Sequence, residues 1–274
     1  MMSEEVQQVD KNLENRKLVS KALDVLNQAA QEPEQEKRIA IAHEALNISK
    51  DCVEAWLLLA NESSESLEDA AKYLGEAVAA GDRFFADRKE EWTGRFWQLS
   101  QTRPYMQARA GFGQILWEIG ERATALDVLE ETLRLNPVDH QGIRFVLLRA
   151  LLELQQYEKA EQIANQYDAE QTTPMLYNRL LIAFAVHGDS LVARSVFLAA
   201  RKANASVLDY LLGLRVLPQK LPKQSEPGRE SEAIRYAAAF GDAYFAVPGL
   251  LDFLREQKKL RAQKDESKKD RRKK

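Results

Sequence analysis

A repeat of 33–35 residues is the feature that most limits how this chain can fold. Ala125 recurs as Ala160, thirty-five residues later, and as Ala193 after a further thirty-three. The glycines Gly120 and Gly188 precede the first and third of these alanines by five residues. Repeats of this length are single helical units that bury their apolar faces only by stacking on their neighbours. The period therefore predicts an all-α chain of stacked, antiparallel helix pairs.

The clearest unit, residues 106–139, shows why each position has its residue type. Gly113 and Ala125 are small, which indicates that two helices cross there at close approach. Gly120 permits a tight reversal between the helices, and Pro137 stops the second one. This order of small, large and turn residues resembles the tetratricopeptide repeat (TPR) pattern. We therefore predict a right-handed TPR-type α-solenoid with a helical C-terminal cap and a disordered basic tail.

The period divides the chain into five segments. The pattern in residues 1–81 predicts TPR-like helix pairs, the last of which ends at Gly81 in a left-handed conformation. Residues 103–207 are predicted to form three TPR units. Residues 82–102 break the period with five aromatic side chains and predict an inserted helix, which either closes the core between two repeat blocks or exposes a contact patch. Residues 208–254 predict a loop and a helical cap, because the terminal units of a solenoid need an atypical outer face. Residues 255–274 predict a disordered basic tail.

Composition and charge limit the location and the partners of the chain. It is 45% hydrophobic and 30% charged, and it has no apolar run long enough to predict a membrane span. A single cysteine, Cys52, and an N-terminus without a signal-peptide pattern predict a cytoplasmic location. The net charge is −3, yet residues 255–274 contain eleven Lys or Arg against four Asp or Glu. This tail is either a solubilising segment or a docking arm for RNA, the ribosome or another acidic surface.

No group of residues in the sequence predicts catalysis. The histidines His43, His140 and His187 lie in three different units, and the motifs H-E-x-x-H, C-x-x-C and G-x-x-x-x-G-K are missing. Asp139 beside His140 suggests a catalytic pair, but both residues follow Pro137 at the end of an amphipathic run. Either Asp139 or His140 is expected near the N-cap of the next helix, and Asp139 suits that position because exposed amides and the helix dipole favour an acid. We therefore predict a joint between repeats, with no catalytic residue, no metal and no cofactor.

Beyond the general TPR pattern, the second half of the chain resembles the suppression-of-tumorigenicity-seven family and its soluble bacterial relatives. The resemblance covers roughly residues 100–254. It implies a TPR scaffold and carries over no catalytic residue. The stretches that carry it are RPYMQARAGFGQILWEIG (103–120), LLELQQYEKAEQIANQYDA (151–169), LDYLLGLRVLPQKLP (208–222) and SEAIRYAAAFGDAYFAVPGLLDFL (231–254).

The concave side of the predicted solenoid is the candidate binding surface, because the first helix of each unit lines it. Its mixed apolar and polar lining suits a protein or peptide segment better than a polyanion. Trp117 and Phe145 are either anchors for a partner or interior packing. The alternative function is a ribosome- or nucleic-acid-associated factor that uses the basic tail. The main prediction is a non-catalytic scaffold whose partner-binding groove contains Gln114, Trp117, Glu118, Phe145, Arg149 and Asn178.

Overall fold

The structure, a computed structural model, describes the backbone of residues 4–272 and the side chains of residues 11–261 and 263. Within these residues all regular secondary structure is helical. The chain forms two compact units, one up to Val146 and one from Leu147, and the boundary falls inside a helix. The predicted all-α fold is confirmed.

The first unit is built from helices that pack in chain order. Each of the first three helices packs on the next, α4 packs on α6, and α6 packs on α7. The short insertion between α4 and α6 contains α5 and two single 3₁₀ turns. The helices are α1 (Glu4–Leu26), α2 (Gln35–Ile48), α3 (Val53–Glu62), α4 (Leu67–Phe84), α5 (Lys89–Trp92), α6 (Arg103–Glu118), α7 (Arg122–Leu135) and the start of α8 (Ile143–Glu153).

The second unit continues with helix pairs and then departs from them. Helix α10 packs on α9 and α11, and it is also covered by α13 and α14. A loop of residues 212–229 separates α12 from α13, as the three prolines in this stretch predict. The helices after α8 are α9 (Tyr157–Gln166), α10 (Thr173–His187), α11 (Leu191–Ala203), α12 (Ser206–Leu211), α13 (Glu230–Phe245) and α14 (Leu250–Arg272).

The small residues of the repeat lie in helix contacts, as the sequence predicts. A Cβ added to Gly113 would lie 2.8 Å from two side-chain carbons of Leu129, so α6 and α7 touch at this glycine. Ala125, Ala160 and Ala193 are all fully buried in the second helices of their pairs. Because larger side chains would separate the helices, these positions set the spacing within each pair.

The joint between α7 and α8 has the structure that its sequence predicts. Asp139 adopts a left-handed backbone conformation with φ of 57°. Its carboxylate accepts hydrogen bonds from the backbone N–H of Ile143 at 2.7 Å and of Arg144 at 2.9 Å. His140 is exposed, and its Nδ1 lies 3.1 Å from Oδ1 of Asn136. Asp139 therefore caps α8, and its carboxylate is occupied by that role.

Gly81 has a different role from the one that the sequence suggests. The sequence predicts that Gly81 ends a helix in a left-handed conformation, whereas α4 continues through it to Phe84. A Cβ at Gly81 would overlap the ring of Tyr105 on α6. This glycine is therefore small because a neighbouring helix packs directly on its backbone, and the prediction of a helix end is wrong.

The C-terminal segment differs from its prediction in backbone conformation. The sequence predicts disorder from residue 255, whereas α14 continues to Arg272. Lys258 also donates a hydrogen bond to the carboxylate of Asp209. Lys, Arg, Glu, Gln and Ala all favour helix, and neither glycine nor proline interrupts the chain after Gly249.

Among the described residues no single helix is long and apolar enough to cross a membrane; α13 and Leu250–Arg261 pass that test only as a pair bent by 120°.

We expect Gly113→Ala to lower the free energy of unfolding by about 1–3 kcal/mol, because the new methyl group meets Leu129. Gly241→Ala is the matched control, since Gly241 lies within α13 with nothing near its missing Cβ. That change should raise the free energy of unfolding by about 0.5–1 kcal/mol through helix propensity alone. Urea unfolding of both variants measures the difference. Equal stabilities would show that α6 and α7 do not touch at Gly113.

We expect Asp139→Ala to cost about 1–3 kcal/mol of stability, because two helix amides lose their acceptor. Asp139→Asn should cost less, since asparagine keeps an acceptor oxygen and tolerates positive φ. His140→Ala, at the exposed neighbouring side chain, should stay within about 0.5 kcal/mol of the parent. Thermal unfolding of the three variants gives the order. A normal midpoint for Asp139→Ala would contradict the capping role.

Deletion of residues 261–274 should leave the free energy of unfolding within about 0.5 kcal/mol of the full chain. Leu250, Phe253 and Leu254 are the buried apolar side chains described in α14, and Leu260 is already exposed. Circular dichroism at 222 nm during thermal unfolding measures both helix content and midpoint. A midpoint several degrees lower would mean that the deleted residues pack on the folded chain.

Candidate functional site

The groove residues predicted in the first unit differ in their exposure. Gln114 and Glu118 are exposed on α6. Trp117 is half-buried, and the guanidinium carbon of Arg122 lies 3.9 Å from its ring centroid. Phe145 is also half-buried, under the guanidinium group of Arg144. Both rings are therefore covered on one face by an arginine of their own unit.

The two groove residues predicted in the second unit have opposite environments. Arg149 is exposed on α8 and forms an ion pair with Glu153 at 2.8 Å. Asn178 is 0% exposed, and its Oδ1 accepts a hydrogen bond from the Tyr236 hydroxyl at 2.8 Å. Tyr236 belongs to α13, which packs on the face of α10 that the repeat register predicts to be open. Asn178 is therefore a core residue, and its assignment to an open groove is wrong.

An open groove in the first unit does include the predicted polar residues of α6. It measures about 680 Å³ and lies between α3 and α6. We call it the α3–α6 groove. Its lining residues follow helical spacing on both helices, so that each helix contributes one face. From α6 come Pro104, Gln107, Gly111, Gln114, Ile115 and Glu118, from α3 come Glu54, Leu57, Leu58, Asn61 and Glu62, and α4 adds Leu74.

The polar groups of the α3–α6 groove are amides and acids. The side chains of Asn61, Gln107 and Gln114 are exposed and present both hydrogen-bond donors and acceptors. Glu62 is paired with Arg38, whose Nε lies 2.9 Å from Oε2 of the glutamate. No Lys or Arg lines the groove within the part of the chain whose side chains are described. The groove is therefore acidic, with amide groups between the acids.

Tyr105 connects the groove helices to the aromatic insertion. Its ring is buried against Phe85 and Phe96, with ring centroids 5.6 and 5.9 Å away. Its hydroxyl donates a hydrogen bond to Asp82 at 2.6 Å and accepts one from Arg109 at 3.0 Å. Burial raises the pKa of the Tyr105 hydroxyl, so this group stays a neutral donor. The insertion therefore packs into the core of the first unit and does not form an exposed aromatic patch.

Groups with nucleophilic or metal-binding chemistry stand apart from the groove. Cys52 is fully buried at the start of α3, and burial raises the pKa of its thiol to about 11. His187 pairs with Glu161 at 2.9 Å on the surface of the second unit. In the described parts of the chain, no three His, Cys, Asp or Glu side chains are placed to hold a metal ion. The α3–α6 groove therefore offers hydrogen-bonding and apolar contacts as its chemistry.

Sequence reasoning missed the α3 side of the groove. Leu57, Leu58 and Asn61 follow Glu54 at helical spacings of three, four and seven residues. That spacing predicts one common helix face. The repeat pattern is less regular before residue 82. It therefore does not predict which residues of α3 face the groove. The helical spacing itself was the signal that could have identified this face.

Comparison with solved structures gives distant similarities. YrrB, whose crystal structure is described as that of a TPR protein with an unusual peptide-binding site, is 15% identical with a TM-score of 0.47. That match covers 66% of this chain and 84% of YrrB. BtubC (BKLC) from P. vanneervenii is 14% identical with a TM-score of 0.41, and the match covers 92% of both chains.

Three vertebrate relatives are similar over most of this chain. Suppressor of tumorigenicity 7 protein-like from Homo sapiens is 23% identical over 263 residues, which cover 84% of this chain and 44% of that protein. The protein of the same description from Gallus gallus is 22% identical over 258 residues, covering 84% and 45%. Suppressor of tumorigenicity 7 protein from Rattus norvegicus is 24% identical over 280 residues, covering 84% and 48%. The chain spans about half the length of these curated relatives.

The family match covers most of the first unit and part of the second. The sequence model of the family described as ST7 protein matches residues 13–184, well over half of the chain. It includes residues 103–120 and 151–169, two of the stretches that carry the resemblance in the sequence. Residues 208–222 and 231–254 lie beyond it. The matched range includes every residue that lines the α3–α6 groove. This chain belongs to the ST7 protein family.

Proposed function

We propose that this chain is a non-catalytic scaffold that binds an extended segment of another protein in the α3–α6 groove. The observation that carries the proposal is that one face of α3 and one face of α6 form the walls of a single open groove of about 680 Å³. An open groove between two helices accommodates a chain segment, and its walls are already in place before binding.

The amides of the groove suit the main chain of an extended segment. Gln107 and Gln114 lie two helical turns apart on α6, and Asn61 lies on α3. Each amide can donate to a peptide carbonyl and accept from a peptide N–H, which recognises a backbone without regard to its sequence. These three residues therefore support binding of a peptide over binding of an apolar small molecule.

The apolar residues of the groove suit side chains of the bound segment. Leu57, Leu58 and Ile115 are half-buried and keep part of their surface towards the groove. Burying that remaining surface under a partner contributes roughly 25 cal/mol per Å². Hydrogen bonds to the main chain and apolar contacts to side chains are the two kinds of contact by which an extended peptide segment is recognised.

Trp117 and Phe145 of the first unit, and Arg149 of the second, stay proposals as further contacts of a partner. Arg149 is exposed, and arginine is one of the residue types on which binding energy concentrates. Trp117 and Phe145 expose part of their rings. Nucleic-acid binding by the basic tail and the cytoplasmic location stay predictions from the sequence.

The test is a selection of random twelve-residue peptides displayed on phage against the full chain. Selected peptides are then titrated by fluorescence anisotropy against the parent and against the double variant Gln107→Ala/Gln114→Ala. We expect the double variant to lose at least about tenfold in affinity. Both glutamines are exposed, so the thermal midpoint should not change.

Asp127→Ala is the matched control, because Asp127 is exposed on α7 and does not line the groove. Its affinity should equal that of the parent. Trp117→Ala measures whether the bound segment reaches beyond the groove, and Arg149→Ala measures whether the second unit contributes to binding. A selection that yields no peptide, or peptides that bind the double variant as tightly as the parent, would reject the groove as the binding surface.

A further inference from the structure

A second pocket opens beside the α3–α6 groove in the first unit. It has a volume of about 340 Å³, large enough for a long side chain. Glu54 and Pro104 line both the pocket and the groove, so that the two are continuous at these residues. A chain segment in the groove can therefore direct one side chain into the pocket.

The walls of the pocket are mostly apolar. Val19 and Leu23 of α1 form one side of it. The aromatic rings of Phe84, Trp92 and Tyr105 form much of the remainder. Aliphatic stems of lysine and arginine pack on such surfaces, and aromatic ring faces attract their cationic ends. The walls alone therefore fit either an apolar side chain or a long cationic one.

Most charged groups that line the pocket already have partners. Arg16 pairs with Asp87 at 2.8 Å, and Arg88 lies 3.9 Å from the same carboxylate. Asp51 pairs with Arg83 at 2.7 Å. The guanidinium group of Arg88 also lies 5.1 Å from the centroid of the Trp92 ring. These pairs contain three arginines and two aspartates, so that the rim carries one positive charge in excess and each of its arginines already has a partner.

Glu54 is the exception. Glu54 is half-buried, its carboxylate accepts a hydrogen bond from its own backbone N–H, and among the described side chains it has no ion-pair partner. Burial raises the pKa of this carboxyl group. A carboxylate that is partly removed from water without a partner lacks the compensation that a cation provides. Glu54 is therefore the acid of the pocket lining that has no ion-pair partner among the described side chains, and a cation placed next to it would provide one.

We propose that the segment bound in the α3–α6 groove carries one lysine or arginine, whose side chain enters this pocket and pairs with Glu54. The proposal rests on the groove function proposed above and states the chemistry of its partner. The second acid of the groove, Glu118, also lacks a described partner and favours a basic segment at the other end. A partner with an acidic residue at the pocket position would place two unpaired carboxylates together and is disfavoured.

The experiment uses the peptides selected on the full chain. Aligned peptides should share a lysine or arginine at one fixed position. Each peptide is compared with a neutral counterpart, in which norleucine replaces the lysine or citrulline replaces the arginine. Both are titrated against the parent, Glu54→Gln and the control Glu76→Gln, whose glutamate is exposed on α4 away from the pocket.

We expect the neutral counterpart to bind the parent and Glu76→Gln at least about tenfold more weakly than the basic peptide. On Glu54→Gln the two peptides should differ by less than about twofold, because the charge has lost its partner. Thermal unfolding verifies that Glu54→Gln is folded. The comparison of the two peptides on the parent does not depend on any variant.

Two results would overturn the inference and leave the groove function intact. One is a set of peptides that require Gln107 and Gln114 but share no basic residue. The other is an equal effect of the neutral replacement on the parent and on Glu54→Gln. A selection without any binding peptide would reject the groove function, and the inference with it.

Discussion

The close approach of α4 and α6 at Gly81 is the constraint on which the first unit depends. Only a glycine leaves room there for the ring of Tyr105, whose hydroxyl then bonds to Asp82 at 2.6 Å. Because α3 packs on both α4 and α6, the same contact determines where the faces of α3 and α6 meet. Tyr105 is also a wall of the pocket beside Glu54. Groove and pocket therefore depend on one helix contact.

The α3–α6 groove and the pocket beside Glu54 recognise different features of the bound segment. Amides such as Gln107 and Gln114 recognise any peptide backbone, which gives affinity without selectivity. Glu54 supplies the selectivity, because a half-buried carboxylate discriminates strongly between cationic, neutral and acidic side chains. Its lack of an ion-pair partner raises the free energy of the unbound chain, and a bound cation offsets that cost. A partner that lacks the cation gains only the groove contacts.

The second unit uses similar helices for a closed core. Asn178 accepts a hydrogen bond from Tyr236, and the hydroxyl of Tyr244 donates to the carbonyl of Tyr177 at 2.6 Å. These buried bonds connect α10 to α13 and fix the cap on the repeat. Asn178, which the repeat register assigns to a groove, therefore helps to specify how α13 packs on α10. The chain after Ala203 no longer follows the repeat, and its helix α13 packs on α10. That packing makes Asn178, which precedes it in the sequence, a core residue.

The sequence by itself determined the helix pairs, the close contact at Gly113 and the capping role of Asp139. Those features depend on local periodicity, backbone freedom and hydrogen bonds between residues a few positions apart. The tertiary structure decided that Gly81 is a contact, that Asn178 is buried and that Glu54 lies where the groove meets the pocket. Each of these depends on residues 24 to 58 positions away, namely Tyr105, Tyr236 and Pro104. Side-chain periodicity identifies the face of a helix, and only the packing of distant helices decides what covers that face.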